Sequence, residues 1–299
     1  MRHRKITNTS VELSELGFGA SVIGNLYRVT PTPDAAAAVE AAWDEGIRYF
    51  DTAPHYGLGL SEHRLGAALR DRPRNEYVLS SKVGRLLVTD EQPRGIDNEG
   101  FAVRDDLRRQ WDFSRDGVLR SIEATLKRTG LDRLDVVYLH DPDDHWRKAA
   151  DVVILAGRYT LLDQSALDDV LPAAQELNKS VVAVGVFNSG LLSLDRPAEG
   201  MKYDYRDAPP ALVARALAIA EVCAAHGTTL PAAAIASPYT HPRIINVTLG
   251  MRSAEQVARN AELHRQRIPE GLWEDLRAQG LIRSGVPAEK GHKRSSHCR

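Results

Sequence analysis

DVVYLHDPDDHWRKAADVVILAGRY, residues 135–159, decides how many strands the fold contains. Two runs in it, DVVYLH (135–140) and DVVILAG (151–157), are dense in branched apolar residues, as strands buried on both faces are. Ten residues separate them, including a proline and several acids. Consecutive parallel strands need a crossover of about a dozen residues or more, ordinarily with a helix in it. Ten residues are too few, and the rest of the chain shows what is missing.

Five more strand-like runs flank this stretch: LGFGA (16–20), IRYFDTA (47–53), EYVLSSKV (76–83), SVVAVGVF (180–187) and RIINVTLG (243–250). Helical patterns lie between them at 32–46, 61–71, 116–130, 165–177, 211–227 and 253–263. The first has Thr32 as N-cap, Pro33 at the first helical position and Gly46 as its stop. Alternating strands and helices predict a parallel sheet, closed as a (β/α) barrel or open and doubly wound. No strand–GxGxxG–helix fingerprint opens the chain, which favours the barrel. Residues 84–113 form a long charged insert after the third strand, expected as a loop on the C-terminal face, where specificity is usually carried. A solvated insertion without function is the alternative. The tail 289–299 is basic and without periodicity, and is expected to be disordered; residues 1–288 are expected to form one domain.

A net charge of −1 on 299 residues gives no reason to expect nucleic acid or an anionic membrane as partner. No apolar run reaches the length of a membrane span, and the basic N-terminus lacks the apolar core of a secretory signal. Two cysteines, Cys223 and Cys298, make no disulfide framework, so a cytoplasmic protein with reduced thiols is expected.

The strand ends carry the chemistry. Asp51 ends the second strand, with Tyr56 in the loop after it; Lys82 ends the third and His140 the fourth. In a parallel barrel these ends share one face, where a polar residue reads as catalytic. A lone Asp51–Lys82 pair could be purely structural; four such positions on consecutive strands are harder to dismiss. Tyrosine is a poor acid–base group near neutrality, with a pKa of about 10. A lysine ammonium beside it favours the phenolate, and a carboxylate keeps the lysine charged. A histidine can donate a hydrogen bond to a substrate oxygen. No cluster has metal-ligand spacing. The set suits proton exchange with a hydroxyl or carbonyl during hydride transfer, which calls for a nicotinamide.

GFGASVIGNLY (17–27), FDTAPHYGLGLSEHRLGAAL (50–69), VLSSKVGR (78–85) and LDVVYLHDP (134–142) together resemble the aldo-keto reductases, over residues 11–277. The resemblance implies Tyr56 as proton donor and acceptor, Lys82 as its pKa partner, Asp51 as the lysine's partner and His140 as the group orienting substrate. It implies NADP or NAD, with Gly19 and Asp51 beside the cofactor. TLGMRSAEQVARN (248–260) resembles the family's cofactor clamp, with Gly250, Arg252, Ser253, Gln256 and Asn260 at the clamp positions. Arg252 would bind the 2′-phosphate of NADP, or stack on adenine and accept NAD. HDPDDH (140–145), AGRYTLLDQSALD (156–168) and GVFNSGLL (185–192) are similar to the aldose 1-dehydrogenases and pyridoxal dehydrogenases of the family. That subgroup implies oxidation of a sugar such as L-fucose, or of a pyridoxal hemiacetal. Phe187, Asn188, Gly190 and Leu191 would contact the cofactor. Ungapped matching puts Val184 at the aromatic platform position, with Phe187 as its substitute. Tyr159 would line the substrate pocket or serve only in packing.

A (β/α)8 TIM barrel needs eight strands, and seven are recognisable. By the family pattern, a helix, a strand and the start of another helix belong between HDPDDH and DVVILAGRY. The expected fold is therefore a (β/α)8-type barrel lacking about one β/α repeat, through an internal deletion near 145–150. Such a loss leaves unpaired backbone groups on the strands flanking the gap. The alternative to a working enzyme is an impaired barrel that acts as a cofactor-binding or interaction protein. A lyase forming a Schiff base on Lys82 is a third option, less consistent with Asp51 and Tyr56.

Overall fold

The computed structural model describes residues 1–141, 150–204 and 206–283. The expected tail and residues 145–149 of the deletion point lie outside the described residues. The chain divides into two compact units, Met1–Ile154 with Thr248–Glu262, and Leu155–Val247 with the described residues from Leu263 onward.

The first unit opens with a hairpin, β1 (His3–Lys5) and β2 (Glu12–Ser14), paired His3 to Ser14. Then come β3 (Leu16–Gly19), α1 (Thr32–Asp44), β4 (Tyr49–Asp51), α2 (Leu60–Leu69) and β5 (Val78–Val83). β6 (Arg85–Thr89) and β7 (Leu107–Trp111) form an antiparallel hairpin, and α3 (Arg115–Thr129) leads to β8 (Val136–Leu139). The second unit takes in the end of β9 (Val152–Ala156), then α4 (Val170–Glu176), β10 (Ser180–Val184), the short pair β11 (Lys202–Tyr203) and β12 (Arg206–Asp207), α5 (Pro210–Ala225) and α6 (Leu230–Ala236). β13 (Ile244–Gly250) and α7 (Ala254–Arg265) cross the division, and α8 (Glu270–Ala278) closes the series.

Seven strands hydrogen-bond in the order β8-β5-β4-β3-β13-β10-β9. This is the parallel sheet of a (β/α)8 TIM-type fold with seven strands among the described residues, the number read from sequence. The first and last members are β8 and β9, the two runs of 135–159. Val137 and Leu139 on one face of β8 are 40% and 37% exposed, where the helix of a following repeat would lie in a complete barrel.

Local chemistry explains the elements. Ser114 caps α3 by accepting from Gly117 N at 3.0 Å, and Gly130, at φ 67°, ends the helix. A Cβ on Gly66 would lie 2.0 Å from Thr129 O, so only glycine lets α2 approach α3 this closely. Thr32 is not the cap of α1: Pro31 holds that position, and the Thr32 hydroxyl accepts from Arg64 Nη2 at 2.9 Å. The insert 84–113 is not an open loop. β6 and β7 pair from Arg85–Trp111 to Thr89–Leu107, and its tip is tied down by Tyr27 N donating to Gly100 O at 2.8 Å. Phe18, Tyr49, Phe50 and Leu79 are fully buried in the first unit. The second packs Leu161, Leu191, Ile219, Leu272 and Leu276 together.

Candidate active site

Strand alternation builds the site in two layers. Side chains two apart share a face of a strand, so Tyr49 pairs with Asp51 on β4, and Ser80 with Lys82 on β5. Tyr138 on β8 and His140 just beyond it continue the pattern. The register aligns Asp51 with Ser80 and Lys82 with Tyr138. The lower layer is a chain of hydroxyls: Tyr138 Oη lies 3.1 Å from Tyr49 Oη, and Ser80 Oγ lies 3.0 Å from Tyr49 Oη. Ser80 also donates to Asp51 Oδ1 at 2.7 Å.

Lys82 Nζ donates to Asp51 Oδ2 at 2.7 Å and to Thr52 O at 3.1 Å. It lies 4.7 Å from the centroid of the Tyr56 ring, close enough for the ammonium to act on the tyrosine electrostatically. An ammonium has three donors, and Asp51 and Thr52 take two of them. Burial pushes Lys82 toward neutrality, but the Asp51 carboxylate and then Tyr56 outweigh it, and its pKa stands above the ordinary value.

The Tyr56 loop is fixed by sterics. Gly57 follows it at φ 63°, and a Cβ there would lie 2.1 Å from Gly24 O. Any other residue at 57 would push the tyrosine loop off the 20–25 segment. Ser61, one position into α2, holds the same two segments by bonding Thr52 Oγ1 at 2.8 Å and donating to Ala20 O at 2.9 Å.

His140 packs edge-on against Tyr56 at 6.2 Å and against His55 at 5.3 Å between ring centroids. Its Nδ1 is buried without a hydrogen-bond partner. Burial first, and then Lys82 and Arg85, lower its pKa to about 2; burial, Arg109 and Arg85 lower that of His55 to about 3. Both rings are therefore neutral in the folded protein near pH 7, whereas unfolded histidines take protons at about 6.5. Since the folded values are depressed, this contribution to stability is complete above about pH 6.5 and declines as pH falls toward 3. We expect the unfolding midpoint temperature to drop between pH 7 and 4 with a steeper slope than in His140→Asn. Equal slopes by calorimetry would rule out this origin.

The structure thus brings Asp51, Tyr56, Lys82 and His140 together within the first unit. It adds neighbours that sequence reasoning missed. His55 stands against Phe101 of the insert, with ring centroids 5.1 Å apart. Arg109, paired with Asp97, donates to His55 O at 3.0 Å. Ser80 had a signal, its two-residue spacing from Lys82; Phe101, Asp97 and Arg109 had none, since their contacts are long-range.

The expected cofactor residues divide between the units. In the first, a Cβ on Gly19 would lie 3.2 Å from Thr248 Cγ2, and one on Gly250 3.2 Å from Val22 Cγ1. Ser253 Oγ accepts from Gln256 N at 3.3 Å, and Gln256 Oε1 accepts from Arg252 N at 2.8 Å, bracing the start of α7. Asn260 is buried. Arg252 donates to Leu26 O at 2.9 Å, Arg28 O at 3.2 Å and Thr30 Oγ1 at 2.7 Å, so its guanidinium anchors the 26–30 loop. In the second unit, Phe187 packs on the core, Leu191 is fully buried, and Asn188, Ser189 and Gly190 have φ of 46°, 58° and 106°. Asn188 is 4% exposed, and its Oδ1 has no partner. A buried orphan acceptor calls for a donor, which the carboxamide of a nicotinamide supplies. Asn188 thus fits the amide end of such a cofactor. Tyr159 is buried in the same unit with its hydroxyl 3.1 Å from Thr240 Oγ1, burial raises its pKa to about 12, and it lines a small cavity with Thr160, Gln164 and Trp273.

Among the described residues no group of three or more His, Cys, Asp or Glu is placed to hold a metal ion, and no single helix is long and apolar enough to cross a membrane. Cys223 is buried, with its thiol pushed up to about 12, and Cys298 lies outside the described residues.

A polar set at the ends of parallel strands, built around a buried Lys–Asp pair, defines an oxidoreductase-type barrel site. Residues 15–149 and 145–278 match the model of the aldo/keto reductase family. The chain belongs to that family, whose members are NAD(P)-dependent oxidoreductases. The two matched segments overlap at residues 145–149. A D-threo-aldose 1-dehydrogenase of a Pseudomonas species is 42% identical, over 89% of this chain and 94% of that protein. The alignment runs to 309 residues, more than this chain contains, so the relative has residues that this chain lacks. A pyridoxal 4-dehydrogenase of Microbacterium luteolum is 34% identical, over 93% and 97%. In fold, the chain resembles a glycerol dehydrogenase of Gluconobacter oxydans at a TM-score of 0.74, with 20% identity and 99% of both chains covered. An aldo-keto reductase of Bacillus halodurans follows at 0.73, with 24% identity over 97% and 99%.

Proposed function

We propose that the protein oxidises the anomeric carbon of a small aldose, or the hemiacetal carbon of a pyridoxal-like compound, to a lactone. The observation that carries this reading is the Lys82 ammonium, held at 2.7 Å by Asp51 and set 4.7 Å from the centroid of the Tyr56 ring. Tyr56, as phenolate, takes the proton of the hydroxyl on the reacting carbon; in the reverse direction it returns that proton to the carbonyl oxygen. Lys82 stabilises the phenolate, Asp51 keeps Lys82 charged, and Ser80 fixes Asp51. His140, neutral, offers a ring N–H to the substrate oxygen and orients it. The C–H electron pair leaves as hydride while the C=O bond forms, and NAD(P), when bound, supplies the hydride acceptor. Asn188 and its neighbours in 187–191 would hold the nicotinamide end. Within the first unit, Gly19, Gly250 and the start of α7, with Ser253, Gln256 and Asn260, are the cofactor residues that the family resemblance implies, the helix start suiting phosphates. The proposal places this chemistry in a single barrel domain through residue 288, in the cytoplasm.

The seven strands in the sheet of the described residues favour a second reading, in which the chain binds NAD(P) without turning substrate over. Titration of NAD(P)H fluorescence, followed by turnover assays with L-fucose and pyridoxal, separates the two. Binding with turnover supports the enzyme, binding alone supports the second reading, and no binding defeats both.

A further inference from the structure

The hairpin inserted after β5 brings one carboxylate to the edge of the histidine cluster. Glu99, 44% exposed, lies with Oε2 3.6 Å from His55 Nδ1 and 3.5 Å from Arg85 Nη1, and with Oε1 3.4 Å from Arg109 Nη1. All three are ion-pair contacts longer than good hydrogen bonds, so the half-exposed carboxylate keeps acceptor capacity for a closer donor. Those neighbours are anchored elsewhere: Arg109 on Asp97 and His55 O, Arg85 on Asp141 and over the Trp111 ring at 4.3 Å. Around Glu99, His55 Nδ1, Arg85 Nε and Arg109 Nε are buried without hydrogen-bond partners, and Arg109 has only 6% of its side chain exposed. An open acceptor thus stands among buried, unsatisfied ring and guanidinium nitrogens, one histidine ring away from His140.

Adjacent hydroxyls match this arrangement. Each hydroxyl both donates and accepts, so one can give its hydrogen to Glu99 while its neighbour accepts from an arginine or His55. An anionic group would meet Glu99, Asp97 and Asp141, and pyridoxal, with a phenolic hydroxyl and a ring nitrogen, has no vicinal pair of hydroxyls to bridge the carboxylate and an arginine. We propose that Glu99, set between Arg85 and Arg109, is the specificity-determining residue of the site and recognises a vicinal diol of the substrate, selecting a polyhydroxylated aldose over pyridoxal. This rests on reading the Tyr56–Lys82 cluster as the hydride-transfer centre.

The test compares Glu99→Ala and the isosteric Glu99→Gln with the unsubstituted enzyme, measuring kcat/KM for L-fucose and for pyridoxal. The fucose-to-pyridoxal ratio is expected to fall at least about tenfold in Glu99→Ala, chiefly through KM for fucose, and less in Glu99→Gln. A ratio unchanged within twofold, or equal losses on both compounds, overturns the assignment. If the unsubstituted protein turns over neither compound, the proposed function fails, and calorimetric titration with L-fucose decides the role of Glu99. Binding weakened at least tenfold in Glu99→Ala supports it; equal binding, or none by the unsubstituted protein, overturns it.

Discussion

Tyr56→Phe is expected to lower turnover by about 10²–10⁴-fold, the range for losing a positioned acid–base group, while NAD(P)H binding stays within twofold. The substitution removes one oxygen and keeps the ring that packs against His140 and Phe101, at 6.2 and 6.1 Å between centroids. Gly57 still fixes the loop, so the fold should not change. What disappears is the only group in the cluster suited to taking the hydroxyl proton. His140 is a poor substitute: buried beside Lys82 and Arg85, it resists protonation down to about pH 2. Full activity in Tyr56→Phe would assign the proton transfer elsewhere.

Lys82→Met is the second large effect, and it acts on stability as well as turnover. The substitution leaves the Asp51 carboxylate without its counter-charge in a site where the two side chains are 6% and 7% exposed. Removing one partner of a buried ion pair typically costs about 3–5 kcal/mol, because the remaining charge is stranded. Against a net stability of about 5–15 kcal/mol that is a large fraction. Urea unfolding should show the loss, and Asp51→Asn combined with Lys82→Met should recover part of it. The cost applies at neutral pH, since the raised lysine pKa keeps the pair intact until pH rises past the folded value. A loss under about 1 kcal/mol, the scale of an exposed pair, would mean that Asp51 is satisfied by Ser80 and needs no cation.

Much of the fold was legible because its strands are buried and dense in branched residues. The seven runs coincide with the seven sheet strands, including the close pair that ends the order. Asp51, Lys82 and His140 were legible for a related reason, as polar residues at the tips of apolar strands. The β6–β7 hairpin was not, because its strands are exposed or half-buried and its arginines mask the alternation. α6 is apolar nearly all round and only 7 residues long, so it has no helical stripe to read. α8 had its signals, Pro269 before it and Gly280 after, and lay beyond the last expected helix. His55, Glu99 and Arg109 met only through tertiary pairing across 44 and 54 positions, which no local spacing reveals. Arg252 shows the opposite limit. Sequence placed it at a cofactor clamp, whereas its hydrogen bonds run to the 26–30 loop, and only the structure discloses that second employment.

The most direct test of the account is to follow the hydride. The protein is incubated with oxidised NAD or NADP and an aldose carrying deuterium at C1, and the coenzyme is examined by mass spectrometry. Hydride transfer from the anomeric carbon predicts reduced coenzyme that carries the label, formed in step with the lactone, and none from Tyr56→Phe. Coenzyme reduced without label, or a coenzyme that binds and is never reduced, would contradict it.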